Sequence, residues 1–224
     1  MTLIEAIKER HSVRQYLDRP IEQEKLDELE KMISEINEEA GLHLQLVTDE
    51  PEAFDTSRTA RYGTFSGVKN YIALVGPKEK CLQEKLGYWG EKIVLQAQIM
   101  GLNTCWVGLT YRKILGVYEV DDDEKLMGVI TIGYGENQGE KRKTRLPSHL
   151  SKTDVDEPPR WFRRGVECAM LAPTATNQQK FLLTLEGDKV TAKAGKGFYT
   201  KMDLGIVKYH FEIGAGLENF TWND

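Results

Sequence analysis

The sequence predicts a protein of mixed α+β class. Two long helical stretches with apolar stripes, two continuous apolar runs of strand length and one tight hairpin signal carry that expectation. Thr2 and Glu5 have capping-box spacing ahead of Leu3, Ile4 and Ile7, so a short helix opens the chain and leads into Arg10-His11-Ser12-Val13-Arg14. After Pro20, apolar residues at Leu26, Leu29, Ile33, Ile36 and Ala40 recur at steps of three and four, with Gly41 as the stop of an amphipathic helix. Leu42 to Val47 alternates as a half-buried strand does, and Tyr71 to Val75 is a continuous apolar run of buried-strand length. Between them Glu50 to Gly67 shows no clean period, and an irregular stretch of that length in a compact domain is often functional.

A second long helix is expected from about Glu79 to Met100, with Leu82, Leu86, Trp89, Ile93, Ala97 and Met100 on one stripe and Gly101 as its cap. Leu126 to Tyr134 reads as another buried strand, and Gly135 to Leu150 as a polar, basic segment. Asp154 to Pro159 looks like a linker. Pro159 to Leu171 is expected to be helical until Ala172-Pro173, since the residue before a proline is pushed out of the helical region. Phe181 to Leu185 and Val190 to Ala194 flank Glu186-Gly187-Asp188-Lys189, a hairpin signal, and a last helix runs from about Met202 to Ala215. The two late helices echo each other: Gly90 precedes Gly101-Leu102 by eleven residues, as Gly205 precedes Gly216-Leu217, and Trp106 and Trp222 follow.

The 224 residues carry a formal net charge of −5, which argues against a nucleic-acid binder held by its overall charge. With 40% hydrophobic and 29% charged residues the chain can build a core under an ordinary polar surface, so disorder of the whole chain is excluded. No apolar run approaches the roughly 20 residues that span a bilayer, and the N-terminus lacks a signal-peptide pattern, so no membrane partner and a cytoplasmic location are expected. Cys81, Cys105 and Cys168 are odd in number and widely spaced, and read as buried reduced thiols. The common nucleophile, metalloprotease, P-loop and dinucleotide motifs are missing. The four histidines lie far apart in sequence, so neither a catalytic side chain nor a metal site is expected.

What remains points to an anion. Arg10, Ser12 and Arg14 alternate, with His11 between them, and alternate residues of an extended chain face one side. Two guanidinium forks and a hydroxyl converging on one point suit a phosphate, although a solvated basic segment after a helix has the same composition. Lys143-Thr144-Arg145-Leu146-Pro147 has the same alternating basic character. Ala172-Pro173-Thr174-Ala175-Thr176-Asn177-Gln178-Gln179 combines small hydroxylated residues with amides that can serve a flat polar ring.

Together these segments resemble the flavin-binding signatures of the nitroreductase family. Ile7 to Tyr16 looks like its opening R-x-S-x-R-x-F/Y motif, which implies that Arg10, His11, Ser12 and Arg14 hold the FMN phosphate. Lys143 to Pro147 is similar to the late K-x-R-L-P segment, which implies that Lys143 and Arg145 reach the same phosphate. Gly101 to Gly108 looks like the G-L-x-T-x-W-x-G stretch, placing Val107 and Gly108 beside the flavin ring. Ala172 to Gln179 matches A-P-S-x-x-N-x-Q, placing Pro173, Thr174, Ala175 and Asn177 on the ring's other side.

The resemblance implies an α+β fold with a mixed sheet flanked by helices, and an oxidoreductase that passes electrons from NADH or NADPH through FMN to a nitro compound, quinone or similar acceptor. A flavin store or adaptor without turnover is the alternative. One departure stands out. In the common family layout the A-P-S loop follows the first long helix, yet here Ile33 to Leu46 runs directly from helix to strand, and the loop arrives some 130 residues later. Residues 1–150 therefore carry the phosphate clamp, and residues 158–224 carry the loop without a clamp of their own. The chain reads as a fused, degenerate pseudo-dimer, monomeric with a complete site; its rival is a permuted chain that still forms homodimers.

Overall fold

The computed structural model describes residues 1–54 and 64–223, which contain six α-helices and eight β-strands. They form two compact units. A first unit comprises Met1–Glu9, Gln83–Lys92 and Arg142–Asp224, and a second comprises Arg10–Leu82 and Ile93–Lys141. Helix α3, Leu82–Ile99, contributes its N-terminal part to the first and its C-terminal part to the second.

The second unit is built on a four-stranded antiparallel sheet in the order β1-β2-β4-β3, formed by Gln45–Val47, Tyr71–Pro77, Glu124–Gly133 and Asn103–Val107. Helix α2, Gln23–Ala40, buries the predicted stripe of Leu29, Ile33, Ile36 and Ala40, and ends where Gly41 adopts a left-handed φ of 60°. The expected strand from Leu42 begins only at Gln45. The Asn37 side chain explains the difference: its Oδ1 accepts the Leu44 N–H at 2.8 Å and its Nδ2 donates to the Leu44 carbonyl at 2.9 Å, taking the place of a ladder partner. Strand β3 has no counterpart among the expected elements. Four of its five residues are buried, so it shows no period of two. Of the long irregular stretch, Glu50 organises the start by accepting the N–H groups of Glu52 and Ala53 at 2.7 and 3.1 Å. Residues 55–63 lie outside the described residues.

In the first unit, α1, Leu3–Glu9, opens with the expected capping box: the Thr2 N–H donates to Glu5 Oε2 at 2.7 Å and the Glu5 N–H to Thr2 Oγ1 at 3.3 Å. A mixed sheet runs β5-β6-β7-β8. The hairpin of β6, Phe181–Glu186, and β7, Lys189–Ala194, closes at Gly187, whose φ is 63°. Strands β5, Ser151–Thr153, and β8, Thr221–Trp222, add in parallel to either side; at three and two residues they are too short to carry a sequence period. A short helix α4, Pro147–Leu150, precedes β5. Helices α5, Arg160–Ala169, and α6, Thr200–Ala215, lie as predicted. Between them, the side chain of Phe211 stacks against the bare face of Gly165, where an added Cβ would come within 2.6 Å of the ring. Phe220 and Trp222 extend this cluster at ring distances of 5.1 Å.

The N-terminal part of α3 and α6 meet at two glycines. A Cβ on Gly87 would lie 2.0 Å from the Met202 carbonyl oxygen and 3.2 Å from the Ile206 nitrogen. A Cβ on Gly205 would lie 2.0 Å from the Glu84 oxygen and 2.6 Å from the Tyr88 nitrogen. Each glycine thus faces the carbonyl three residues before, and the amide one residue after, the other, which is the relation of a local two-fold axis. The echo noted in the sequence pairs Gly90 with Gly205; in space the counterpart of Gly205 is Gly87. Beside this crossing, His210 is fully buried, with Nε2 2.8 Å from Glu91 Oε1 and Nδ1 3.1 Å from the Cys168 carbonyl. A carbonyl only accepts, so Nδ1 carries a proton.

The chain also follows twice the same path of helix, two antiparallel strands, helix and strand. The first pass is α2, β1, β2, α3, β3, and the second α5, β6, β7, α6, β8. Strand β8 lies parallel to β7, and β3 runs parallel to β2 with β4 inserted between them. The three cysteines are free thiols; Cys105 and Cys168 are buried as expected, whereas Cys81, just ahead of α3, is exposed. No helix among the described residues is long and apolar enough to cross a membrane.

Candidate functional site

In the second unit the chain after α1 runs along the edge of β3. Ser12 bridges in parallel to Thr104, and the Val13 N–H donates to the Thr104 carbonyl at 3.0 Å. Tyr16 anchors the run from beneath, its hydroxyl donating to the Val13 carbonyl at 2.9 Å and lying 2.8 Å from Thr131 Oγ1. The predicted extended run of Arg10, Ser12 and Arg14 lies beside Cys105, whose neighbours on β3 it follows. Burial pushes the Cys105 thiol up, and the Arg14 charge, a hydrogen bond from Ser12 and the Arg10 charge oppose that push. Arg10 is 2% exposed, whereas Arg14 is exposed and Ser12 and His11 half-buried. Gly139, at φ 75°, brings the chain against His11 and Ser12; a Cβ there would be 2.7 Å from the His11 Cβ. Two of the four motifs, R-H-S-V-R and G-L-N-T-C-W-V-G, therefore lie side by side. The Val107 side chain is turned into the core with Val129, so the predicted contact with a ring cannot come from that side chain.

In the first unit the other two motifs meet. Asn177 Nδ2 donates to the Lys143 carbonyl at 2.8 Å, Gln179 Nε2 donates to the same oxygen at 2.9 Å, and the Arg145 N–H donates to Gln179 Oε1 at 2.8 Å. Arg142 donates to the Leu171 carbonyl, just before Ala172-Pro173. The loop contains a 3-10 turn, Ala175–Asn177, and its residues Thr176, Asn177 and Gln179 adopt positive φ of 50°, 55° and 46°. Three left-handed non-glycine residues within four positions are strained backbone, and such strain concentrates at binding and catalytic sites. Gln179, 3% exposed, pins the turn: its N–H donates to Thr174 Oγ1 at 3.0 Å, and its Nε2 also lies 3.0 Å from Asn177 Oδ1. The side chains of Lys143, Arg145 and the tip at Thr176 and Asn177 are exposed, while Pro173, Thr174 and Ala175 are half-buried.

Sequence reasoning passed over Gln179, Arg142 and Asp203. The final Gln of the loop motif could have signalled the first, but nothing marks Asp203, which lies 26 residues beyond Asn177. On α6 and 4% exposed, it accepts the Ala175 N–H at 2.9 Å and the Gln178 side-chain amide at 2.7 Å. Burial pushes its carboxyl up to about 6, against those two hydrogen bonds. The folded chain thus holds this proton more tightly than the unfolded chain, whose carboxyl has the ordinary value of 3.8. Its contribution to stability is complete below the unfolded value and is lost as pH rises through about 6. The difference is on the order of 2 to 3 kcal/mol. Urea unfolding of the native protein and Asp203→Asn between about pH 4 and 7 is expected to differ by a slope of this sign, absent from the variant. Parallel curves would refute it.

The fold also gathers His43, Asp121 and Glu124, whose ligand atoms lie within 4.8 Å of one another. His43 is distant in sequence from the other two, and its Nδ1 lies at hydrogen-bond distance, 2.8 Å, from Glu124 Oε2.

Similarity to solved structures first defines the class. The protein from Parabacteroides distasonis described as a putative NADH dehydrogenase/NAD(P)H nitroreductase superposes with a TM-score of 0.51 at 20% identity, over 66% of this chain and 95% of that one. That likeness is one of fold. A putative nitroreductase from Thermotoga maritima superposes over 96% of this chain and 83% of its own, with a TM-score of 0.69 and 25% identity. No curated protein sequence matches the chain. The sequence pattern of the family described as "Putative TM nitroreductase" matches residues 2–215, and the chain belongs to that nitroreductase family. It is an oxidoreductase with a nitroreductase-like α+β fold.

Proposed function

We propose that the chain binds FMN and passes reducing equivalents from NADH or NADPH to an electron-poor acceptor such as a nitro compound or quinone. The observation that carries this reading is the assembly of the four family motifs in adjacent pairs, one pair ending in a strained loop locked by buried side chains. The donor set fits the cofactor. Arg10, Ser12 and Arg14, with His11 beside them, supply charge-assisted donors to a phosphate, and Lys143 and Arg145 add further positive charge. Pro173, Thr174 and Ala175, with the backbone of Val107 and Gly108, serve the ring. Asn177, whose amide is engaged by Lys143 and Gln179, acts by holding the loop to the basic segment.

Bound FMN supplies the hydride and electron transfer, so this reading requires no nucleophile or metal from the protein. The chain contributes orientation, exclusion of water and hydrogen bonds. We further read residues 1–150 and 158–224 as two partial copies of one ancestral fold. The repeated path of five elements and the two-fold crossing at Gly87 and Gly205 support this. One chain then carries a full set of motifs and takes one FMN.

Purified protein is expected to be yellow, to hold one FMN per chain, and to oxidise NAD(P)H faster when menadione or nitrofurazone is added. A flavin-loaded protein with no acceptor-dependent rate would be a flavin-binding protein without turnover, and a colourless protein that takes up no FMN would end the reading. In Asn177→Ala the acceptor-dependent rate should fall about tenfold or more while the melting temperature moves little, because two hydrogen bonds of an exposed loop are lost. An unchanged rate and flavin spectrum would remove Asn177 from the site.

A further inference from the structure

The loop Thr174 to Gln179 holds a conformation that its residues do not favour on their own, with Thr176, Asn177 and Gln179 all left-handed. Something must hold it from outside. On one side that is Gln179, bonded to Lys143 and Arg145. On the other it is α6 and the residues just before it. Gln178 Nε2 donates both to the Phe198 carbonyl, at 2.9 Å, and to Asp203 Oδ2, at 2.7 Å. A backbone carbonyl can only accept, so the amide nitrogen of Gln178 must face it, and the same nitrogen then needs an acceptor at Asp203. The other oxygen, Oδ1, accepts the Ala175 N–H. Both oxygens of Asp203 are therefore required as acceptors, and the side chain spans the loop from Ala175 to Gln178.

We propose that Asp203 is a positioning residue that presets the flavin-binding loop before the cofactor arrives. This rests on the flavin reading above. Asp203 touches the loop from its buried side, so its effect on the flavin passes through Ala175 and Gln178. A ligand that meets a loop already in its bound shape avoids the cost of ordering it, and affinity rises accordingly. The acceptor requirement also makes Asn a poor substitute despite its matching size: whichever way its amide is turned, an N–H group faces either the Ala175 N–H or the Gln178 amide nitrogen.

The test uses the full chain in three forms: native, Asp203→Asn, and Asp203→Asn combined with Thr176→Gly. Glycine accepts the left-handed conformation without strain and so reduces the need for the latch. Far-ultraviolet circular dichroism and melting establish that the variants fold. Hydrogen exchange in the absence of FMN is expected to show faster exchange at Ala175 and Gln178 in Asp203→Asn. Titration of flavin-free protein with FMN, followed by flavin fluorescence, is expected to show about tenfold weaker binding in Asp203→Asn, with altered visible flavin bands. The double variant should recover at least half of the lost affinity on a logarithmic scale. Unchanged exchange in a folded Asp203→Asn overturns the latch whatever FMN does, as does unchanged affinity and spectrum. Faster exchange in a protein that takes up no FMN in its native form upholds the latch and overturns the flavin reading.

Discussion

Gly205→Ala is expected to abolish the stable fold. The new methyl carbon would sit 2.0 Å from the Glu84 carbonyl oxygen and 2.6 Å from the Tyr88 nitrogen, both backbone atoms of α3. A flexible side-chain tip could move aside, but the backbone of a buried helix can do so only if the two helices separate. Separation would disturb the buried pair of His210 and Glu91 and the bond from the Tyr88 hydroxyl to Glu212, 2.6 Å. The cost should exceed about 4 kcal/mol, a large part of the stability of an ordinary domain. Gly87→Ala is expected to behave alike, since its Cβ would lie 2.0 Å from the Met202 oxygen. Gly41→Ala is the contrasting substitution: its φ is 60° but nothing lies within 4 Å, so it should cost only about 1 kcal/mol. Thermal unfolding and soluble yield of the three variants check the ranking. A Gly205→Ala protein that melts within a few degrees of the native one would show that the helices are not held at this crossing.

The double change Arg10→Ala with Arg14→Ala should reduce FMN affinity by roughly two to four orders of magnitude. On the proposed clamp, each guanidinium removed would forfeit charge-assisted hydrogen bonds to a phosphate, worth about 1.5 to 3 kcal/mol apiece. The two residues differ in what else they do. Arg10 is 2% exposed, so its loss should also lower the melting temperature, while the exposed Arg14 should leave it nearly unchanged. Arg14→Ala alone therefore separates binding from folding. Equilibrium dialysis with FMN reads the affinity, and a double variant that retains native flavin content would refute the clamp.

The sequence by itself determined those elements whose residues interact with near neighbours. The capping box at Thr2 and Glu5, the stripe of α2 ending at Gly41 and the hairpin at Gly187 are local, because their hydrogen bonds and apolar faces repeat within a turn or two. The motif residues were readable for a similar reason: they stand in short contiguous runs, and the run through Ser12 and Val13 pairs with Thr104. Strands β3, β5 and β8 were not readable. One is buried on both faces and the others are shorter than a period, so they exist through their partners and not through their own pattern. The same holds for the most consequential parts of the candidate site. Gln179 reaches Lys143 and Arg145 across more than thirty residues, and Asp203 reaches Ala175 and Gln178 across more than twenty. Only tertiary structure could decide these contacts, because a buried side chain's partner is set by the packing that excludes water around it, and that packing leaves no spacing in the chain for a reader to find.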